Sequence, residues 1–573
     1  MQSTAVTVLL LSASLGTGGA TLLRAQRPAT ADPRCDGKRV SRIDIRPGRP
    51  PFEGSMSRWR FAARAAGLHH ATTRPAVIEA FMALHEGEVC TELRRAESER
   101  VLRAQPFLAN ASVRAIPDDA GGVAILVETV DEVPVLVNGH FRGLSPRALS
   151  LGNSNVGGQG LLVQLSAERG DAYPNGFGAR IVEQATFGRP YVTSFEGYRF
   201  TVGHRIVAQM AHPFYTDLQR IGWNAGFETG NQYPRLRRPA DDNLALLVRE
   251  TRWQGSGLAR VFGTRTMFFV GGGVTGIKLD PAQAGVIVSD TGLAIDTGTT
   301  LRNRYAPFKA GRLGVLGGLA RIRFRTVQGF DALTAAQDVA NGALGGVFAA
   351  KGLSAFGEND VFLSSVVYAG TSTERMRLAT SVEAEARHGP GAAQWDDLIG
   401  SSRTALYLGG GPGFLFVLDD RLSGGRRALI PLQLALGDRQ GGIMGYNASQ
   451  LVGAYRNVAR ADLRWSRPRM VRNADVGFAT FTQVGSIWAG DAPYGSTTTR
   501  TSGGVSILAA YPTGSKRLYR VDVGIPLARG GGGKFEVRFS SEDATQRFWR
   551  EPDDVLRSRI GGLPSTMFSL PVR

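Results

Sequence analysis

From about Val135 to about Ser540, apolar side chains recur at every second position and no helix-period stretch interrupts them. Ile221, Trp223, Ala225 and Phe227 alternate with Arg220, Gly222, Asn224, Gly226 and Glu228. Ile322 and Phe324 alternate with Arg321, Arg323 and Arg325. The same rhythm runs through Ala459, Ala461, Leu463 and Trp465, through Tyr519, Val521, Val523 and Ile525, and through Phe535, Val537 and Phe539. A period of two marks β-strands, whose successive side chains point to opposite faces. One face here is apolar or aromatic; the other is polar and often charged. In a soluble sandwich the apolar faces would meet each other. In a transmembrane barrel the apolar face meets lipid and the charged face a wet lumen. The unbroken run of strands favours the barrel. An open sheet cannot span lipid, because its edge amides and carbonyls would lack partners. The strands are therefore predicted to close into a ring of roughly twelve to eighteen.

Composition agrees. Glycine supplies 74 of 573 residues without a collagen-like period, which suits strands with many turns or closely packed walls. Lys and Arg exceed Asp and Glu by 67 to 49, a formal charge of +18. Arg is spread along the chain, often at every second position, which fits a polar barrel interior better than a nucleic-acid patch. No nucleic-acid partner is expected.

Residues 1–25 read as a secretory signal peptide, with an apolar core from Val6 to Leu15 and small residues after it; Ala20 and Ala25 are candidate cleavage positions. The chain's two cysteines, Cys35 and Cys90, cannot make a zinc site alone. In an exported protein such a pair is expected to form a disulfide, the alternative being two free thiols. Residues 36–132 mix strand and helix. Lys38 to Arg46 reads as a strand. Thr73 is the expected N-cap of a helix carrying Val77, Phe81 and Leu84 on one face, and Thr91 caps a second helix through about Ala104 with the stripe Leu93, Ala96, Val101 and Ala104. Strands Asn110 to Ile116 and Gly122 to Thr129 follow.

The two halves together resemble the BamA/TamA superfamily of outer-membrane proteins (bacterial surface antigen family). Val77-Ile-Glu, His85-Glu-Gly-Glu, Glu97-Ser-Glu-Arg-Val-Leu-Arg, Phe107, Val113 and the stretch Val123 to Glu132 follow the order of a single POTRA domain. Gly441-Gly-Ile-Met-Gly-Tyr446 resembles the family's lumenal loop motif, usually VRGF or VRGY after a Gly pair. Arg460-Ala-Asp-Leu-Arg464, Gln483-Val-Gly-Ser-Ile-Trp488, Ser502-Gly-Gly-Val-Ser506 and Tyr519 to Leu527 fall in the order of its final strands. The resemblance implies an α+β POTRA domain (36–132), a transmembrane antiparallel β-barrel of about 16 strands (135–540) and a C-terminal tail (541–573).

Two departures stand out. The motif's Arg is Met444, and the late-strand acid with which it pairs in the family is Gln483. Losing one partner would strand a partly buried charge at a cost of about 3–5 kcal/mol; losing both avoids that. The loop Gly442, Ile443, Met444, Gly445 and Tyr446 is therefore expected still to fold inward, held by Tyr446, backbone groups and Gln483, with Asp462 the other lumen-facing acid; the alternative is that Met444 marks only a drifted loop. The tail is the second departure. Either Phe539 or Phe568 is the terminal aromatic, and the remainder either folds back or is disordered.

No nucleophile elbow and no Walker loop occurs. His69 and His70 read as surface residues, and Asp419-Asp420, before Gly424-Gly425, as a turn. No enzymatic activity, cofactor or metal is expected. The resemblance implies that the POTRA domain meets unfolded client polypeptides, adding a client strand at a sheet edge beside Val123, Ile125 and Val127. The barrel would then assist client insertion or translocation at the outer membrane, the alternative being a passive channel or structural surface barrel. Outer-membrane lipid and lipopolysaccharide are the other expected partners, the phosphates of the latter drawn by lumenal Arg.

Overall fold

The computed structural model describes residues 35–49, 71–118, 121–169, 176–238, 244–263, 266–289, 292–437, 439, 441–446, 451–471, 473–528 and 533–561. The signal peptide, His69, His70 and Phe568 lie outside the described residues.

The N-terminal domain runs β1 (Asp36–Gly48), α1 (Pro75–Glu79), β2 (Val89–Thr91), α2 (Glu92–Ala104), β3 (Leu108–Pro117) and β4 (Val123–Asp131). Cys35 and Cys90 are disulfide-bonded, with Cα atoms 5.0 Å apart. Thr91 caps α2 by accepting from the Arg94 N–H. Arg74, not Thr73, occupies the N-cap of α1, with Pro75 at its first turn; Thr73 is drawn instead to Asp131, its hydroxyl donating at 2.7 Å. The buried stripe of α2 also differs from the expected one. Leu93 is exposed, while Val101 and Leu102 are buried, because β3 and the barrel approach from that side.

The sheet order is β2-β1-β4-β3. β4 is thus a central strand, parallel to β1 and antiparallel to β3. Val123, Ile125 and Val127 are buried and their main chain is paired on both sides, so the client edge expected there does not exist. The edges are β2 and β3.

Twenty strands, from Val135–Arg142 to Glu536–Asp543, close into one antiparallel ring in sequence order. The count is 20, not 16. The first part of the barrel is built of six strands of 8 or 9 residues that follow one another between Val135 and His212. Strands that short give little alternation each. Elsewhere the wall is taller, reaching 21 residues in Phe308–Gln328.

The outer face carries the apolar band. Leu313, Val315, Val347, Val367, Val505 and Ile507 are exposed. Their neighbours Arg312, Ser506 and Leu508 point inward and are buried. A barrel with apolar side chains outside and ion pairs inside is built to span lipid, where closure satisfies every strand's main chain. One run is inverted. Along Phe308–Gln328 the outward face reads Leu313, Val315, Leu319 and then Arg321 and Arg323, while Ile322 is buried. The strand there passes beyond the apolar band, and the Arg100 guanidinium covers inward-leaning Phe324 at 4.1 Å. The Asp419-Asp420 turn is not a turn: both residues lie within strand Gly413–Arg426, and Asp419 accepts from Arg403 Nε at 2.8 Å and Arg421 Nε at 3.0 Å.

From Ile221 onward the connections alternate between shorter turns at one end and longer loops at the other. The N-terminal domain sits on the short-turn end. Tyr215 of one turn packs edge-on against Phe81 of the domain, 6.0 Å between ring centres. Glu132 accepts from Ser515 Oγ at 2.6 Å and from the Lys516 N–H at 3.0 Å in another. Arg103 pairs at 3.0 Å with Asp338, near the start of strand Ala336–Gly352 at the same end. Short turns face the periplasm in barrels of this kind and long loops the exterior.

Candidate functional site

The long connection between strands Gly413–Arg426 and Tyr455–Val471 folds into the lumen. Leu434–Ala435 and Val452–Gly453 form a small hairpin inside it. Leu434, Leu436, Ile443, Tyr446 and Leu451 make an apolar cluster against Ile399, Val458 and Ile487 of the wall. Ile443, Met444 and Tyr446 are buried.

Main-chain bonds hold the tip. The Met444 N–H donates to Gln483 Oε1 at 3.1 Å, and Ser502 Oγ donates to the same oxygen at 3.1 Å. The Gly445 N–H donates to Glu536 Oε2 at 2.7 Å, and the Gly445 carbonyl accepts from the Lys534 N–H at 2.9 Å. Tyr446 Oη donates to the Thr501 carbonyl at 2.6 Å and accepts from the Ala528 N–H at 3.2 Å. Two glycines make this fit possible. Gly445 has φ +89° and a Cβ there would lie 2.8 Å from Pro526 Cδ; a Cβ on Gly524 would lie 2.7 Å from Met444 Cβ. Met444 therefore rests on a bare stretch of wall.

Gln483 meets the loop, whereas Asp462 bonds elsewhere. Its partners are Arg460 at 2.6 Å, Arg464 at 3.1 Å and Arg520 at 3.4 Å. Arg520 and Arg460 also reach Asp522, at 2.7 and 3.4 Å. Three guanidiniums and two carboxylates thus link strands Tyr455–Val471 and Arg517–Pro526 across the lumen wall. A cavity of about 30 Å³ lies beside Asp462, Arg403 and Arg520, room for about one water.

Glu536, which the loop motif does not reveal, is the acid beneath the tip. It stands on the last strand, is 3% exposed, and lies 2.9 Å from His140 Nε2 on the first strand. Arg538 Nε donates to it at 2.5 Å. One carboxylate therefore joins loop tip, last strand and first strand. The signal in the sequence was only its place as a lumen-facing acid in the final alternating run.

The seam between first and last strands is short. Four positions pair, Glu536 with Arg142 through Phe539 with Gly139, against seventeen between Phe308–Gln328 and Ala336–Gly352. Below Gly139 side chains take over: Ser541 Oγ accepts from the Val137 N–H at 2.6 Å, and Asn138 Oδ1 from the Ser541 N–H at 3.0 Å.

No family model and no curated protein matches the chain. Among solved structures it is similar to BamA from Haemophilus ducreyi lacking POTRA domains 1–3, at 10% identity over 88% of this chain and 84% of that one, TM-score 0.38. It is also similar to CdiB from Escherichia coli, at 12% identity over 88% and 76%, TM-score 0.42, and to OccK1 from Pseudomonas aeruginosa, at 12% over 71% and 96%, TM-score 0.30. Likenesses at such TM-scores carry no functional inference.

Proposed function

We propose that this chain is an outer-membrane barrel of the assembly and translocation type, which assists insertion or passage of client polypeptides. The observation that carries the reading is the inward loop tip fastened by Glu536 to a first-to-last seam of four paired positions. A barrel wall breaks most readily where fewest main-chain bonds must part, since each contributes about 0.5–1.5 kcal/mol. An unpaired edge opened there would offer a client strand its main-chain partners. Insertion needs no cofactor, because burying apolar side chains in lipid is downhill. The N-terminal domain, lodged beneath the mouth, would hold clients close on the periplasmic side, with β2 as the open sheet edge, since Glu99 and Arg95 of α2 take the outward N–H and carbonyl of Val113 on β3. A passive pore fits less well, because the inward loop cluster, the buried Phe330 and Ala332 of turn 329–335, and the buried Phe548 and Val555 beyond the last strand crowd the lumen.

Reconstituted liposomes test this. An unfolded barrel client diluted from urea should fold several-fold faster with the protein present. Cysteines replacing Gly139 and Phe539, once cross-linked, should abolish the gain. Steady ion conductance with no folding gain would overturn the reading in favour of the pore.

A further inference from the structure

The ring closes at Asp543, yet the described chain continues to Gly561 and does so inside the barrel. Residues 544–549 form a 3-10 turn and α3 (Asp553–Ser558) follows. Phe548, Val555, Ser558, Arg559 and Ile560 are buried. The segment climbs from the mouth under the N-terminal domain to the inward loop, where Val555 joins the loop's apolar cluster.

The wall grips this segment in the way a protein grips a bound peptide. Much of the contact is with main chain, which any polypeptide presents. Arg403 donates to the Arg547 carbonyl. Arg252 donates to the Arg559 carbonyl, and to the Arg557 carbonyl at 3.2 Å. Glu385 accepts from the Ile560 N–H at 2.6 Å. Two side-chain features are read as well. Tyr368 packs against Phe548 and Trp549, at 6.1 and 4.7 Å between ring centres. Arg456 takes the Asp554 carboxylate in a two-pronged pair at 2.6 and 3.0 Å, the geometry that gives Arg its selectivity for carboxylates.

We propose that the lumen holds a binding site for a polypeptide segment bearing an aromatic pair and, five residues on, a carboxylate, and that residues 544–561 are its resident occupant. A client segment of the same chemistry would compete for Tyr368, Arg456 and the main-chain donors. The inference rests on the translocation reading only for the source of that competitor; the site itself rests on the contacts above. While seated, the segment shares the lumen with the inward loop.

Both natural cysteines are in the disulfide, so Ser558→Cys gives a single reporter in the full chain. In lipid vesicles it should react slowly with a membrane-impermeant maleimide. Asp554→Arg should speed labelling at least tenfold, and Arg456→Asp likewise. The double exchange Asp554→Arg with Arg456→Asp should restore the slow rate. A synthetic peptide of residues 544–561 should bind the Asp554→Arg chain, whose wall is intact, at least tenfold more tightly than the Arg456→Asp chain. Heat-dependent gel mobility reports that each barrel is closed. Unchanged labelling in both single variants would show that the segment is fixed core and overturn the proposal. So would a double exchange that labels as fast as the singles, or a reversed-sequence peptide that binds as well as the native one. Peptide capture without any gain in client folding would remove the assembly reading and leave this site standing.

Discussion

Glu536→Ala separates a functional seam from an ordinary barrel wall. The carboxylate accepts from Gly445 at 2.7 Å and Arg538 at 2.5 Å and lies 2.9 Å from His140. Removing one partner of a buried, hydrogen-bonded ion pair costs about 3–5 kcal/mol. The four ladder positions of the seam contribute roughly 2–6 kcal/mol at about 0.5–1.5 each. The loss is thus as large as the ladder it supports. At about 1.4 kcal/mol per tenfold, a loss of about 3 kcal/mol raises the open population of the seam by about two orders of magnitude. Hydrogen exchange of amides 137–142 and 537–541 in lipid nanodiscs reads this directly. The control is Asp360→Ala, which breaks a similarly buried pair with Arg312, bonded at 2.9 and 2.7 Å, away from the seam. Seam exchange should rise about a hundredfold in the first variant and stay near wild type in the second. A Glu536→Ala barrel that is closed by gel mobility, with seam exchange within twofold of wild type, would refute the reasoning.

Three further outcomes are expected from other parts of the molecule. Replacing Cys35 and Cys90 by serine opens a loop of 55 residues and should destabilise the N-terminal domain by about 4 kcal/mol, seen as proteolysis within 36–132 while the barrel resists. Burial works to raise the Glu97 carboxyl, but the hydrogen bond and charge of Arg100, with Thr216 and the Asp217 N–H, hold it below its ordinary 4.5. The stability it contributes is present above that ordinary value and lost as pH falls through the lowered one, so docking of the domain on the barrel should weaken in acid. Glu97→Gln should flatten the dependence, measured by cross-linking of domain to barrel turn across pH. Ile507→Arg places a charge on the exposed apolar band and should cost about 2–4 kcal/mol, read by urea unfolding from vesicles; a value near zero would contradict a lipid-facing wall.

How far the sequence revealed this depends on which partners a residue has. Leu463 and Asp462, or Val523 and Asp522, were legible because lipid and lumen impose opposite demands on adjacent positions. Arg321 and Arg323 were not, since alternation carries no depth: the same outward face turns from apolar to basic once it leaves the band. Val123, Ile125 and Val127 alternate with Ala124 and Leu126, which are also buried. A strand apolar on both faces belongs in the middle of a sheet, and that signal argued against an edge. Phe548, Trp549, Val555 and Ile560 follow neither period, because their partners Tyr368, Arg403 and the loop cluster are supplied by distant strands. The figure of 16 strands came with the family resemblance and not from a count of alternating runs; in the six short strands from Val135 to His212, Gly, Ser and Asn at several positions blur the two-residue rhythm.

The neutral pair Met444 and Gln483 shows what the loop needs. Its tip is bound through the N–H groups of residues 444 and 445, and a main-chain donor is indifferent to the side chain it carries. An uncharged amide at 483 suffices for the first bond. The charge-assisted bond to the tip, roughly twice as strong as a neutral one, is made by Glu536 on the last strand. There it does something a late-strand acid at 483 could not, because two strands separate Ala474–Trp488 from the last strand of the seam, whereas Glu536 also touches His140 across the seam itself. Withdrawing the loop strips the carboxylate of its Gly445 donor and weakens the same group that holds first strand to last. Loop position and seam closure are in this way two readings of one buried charge.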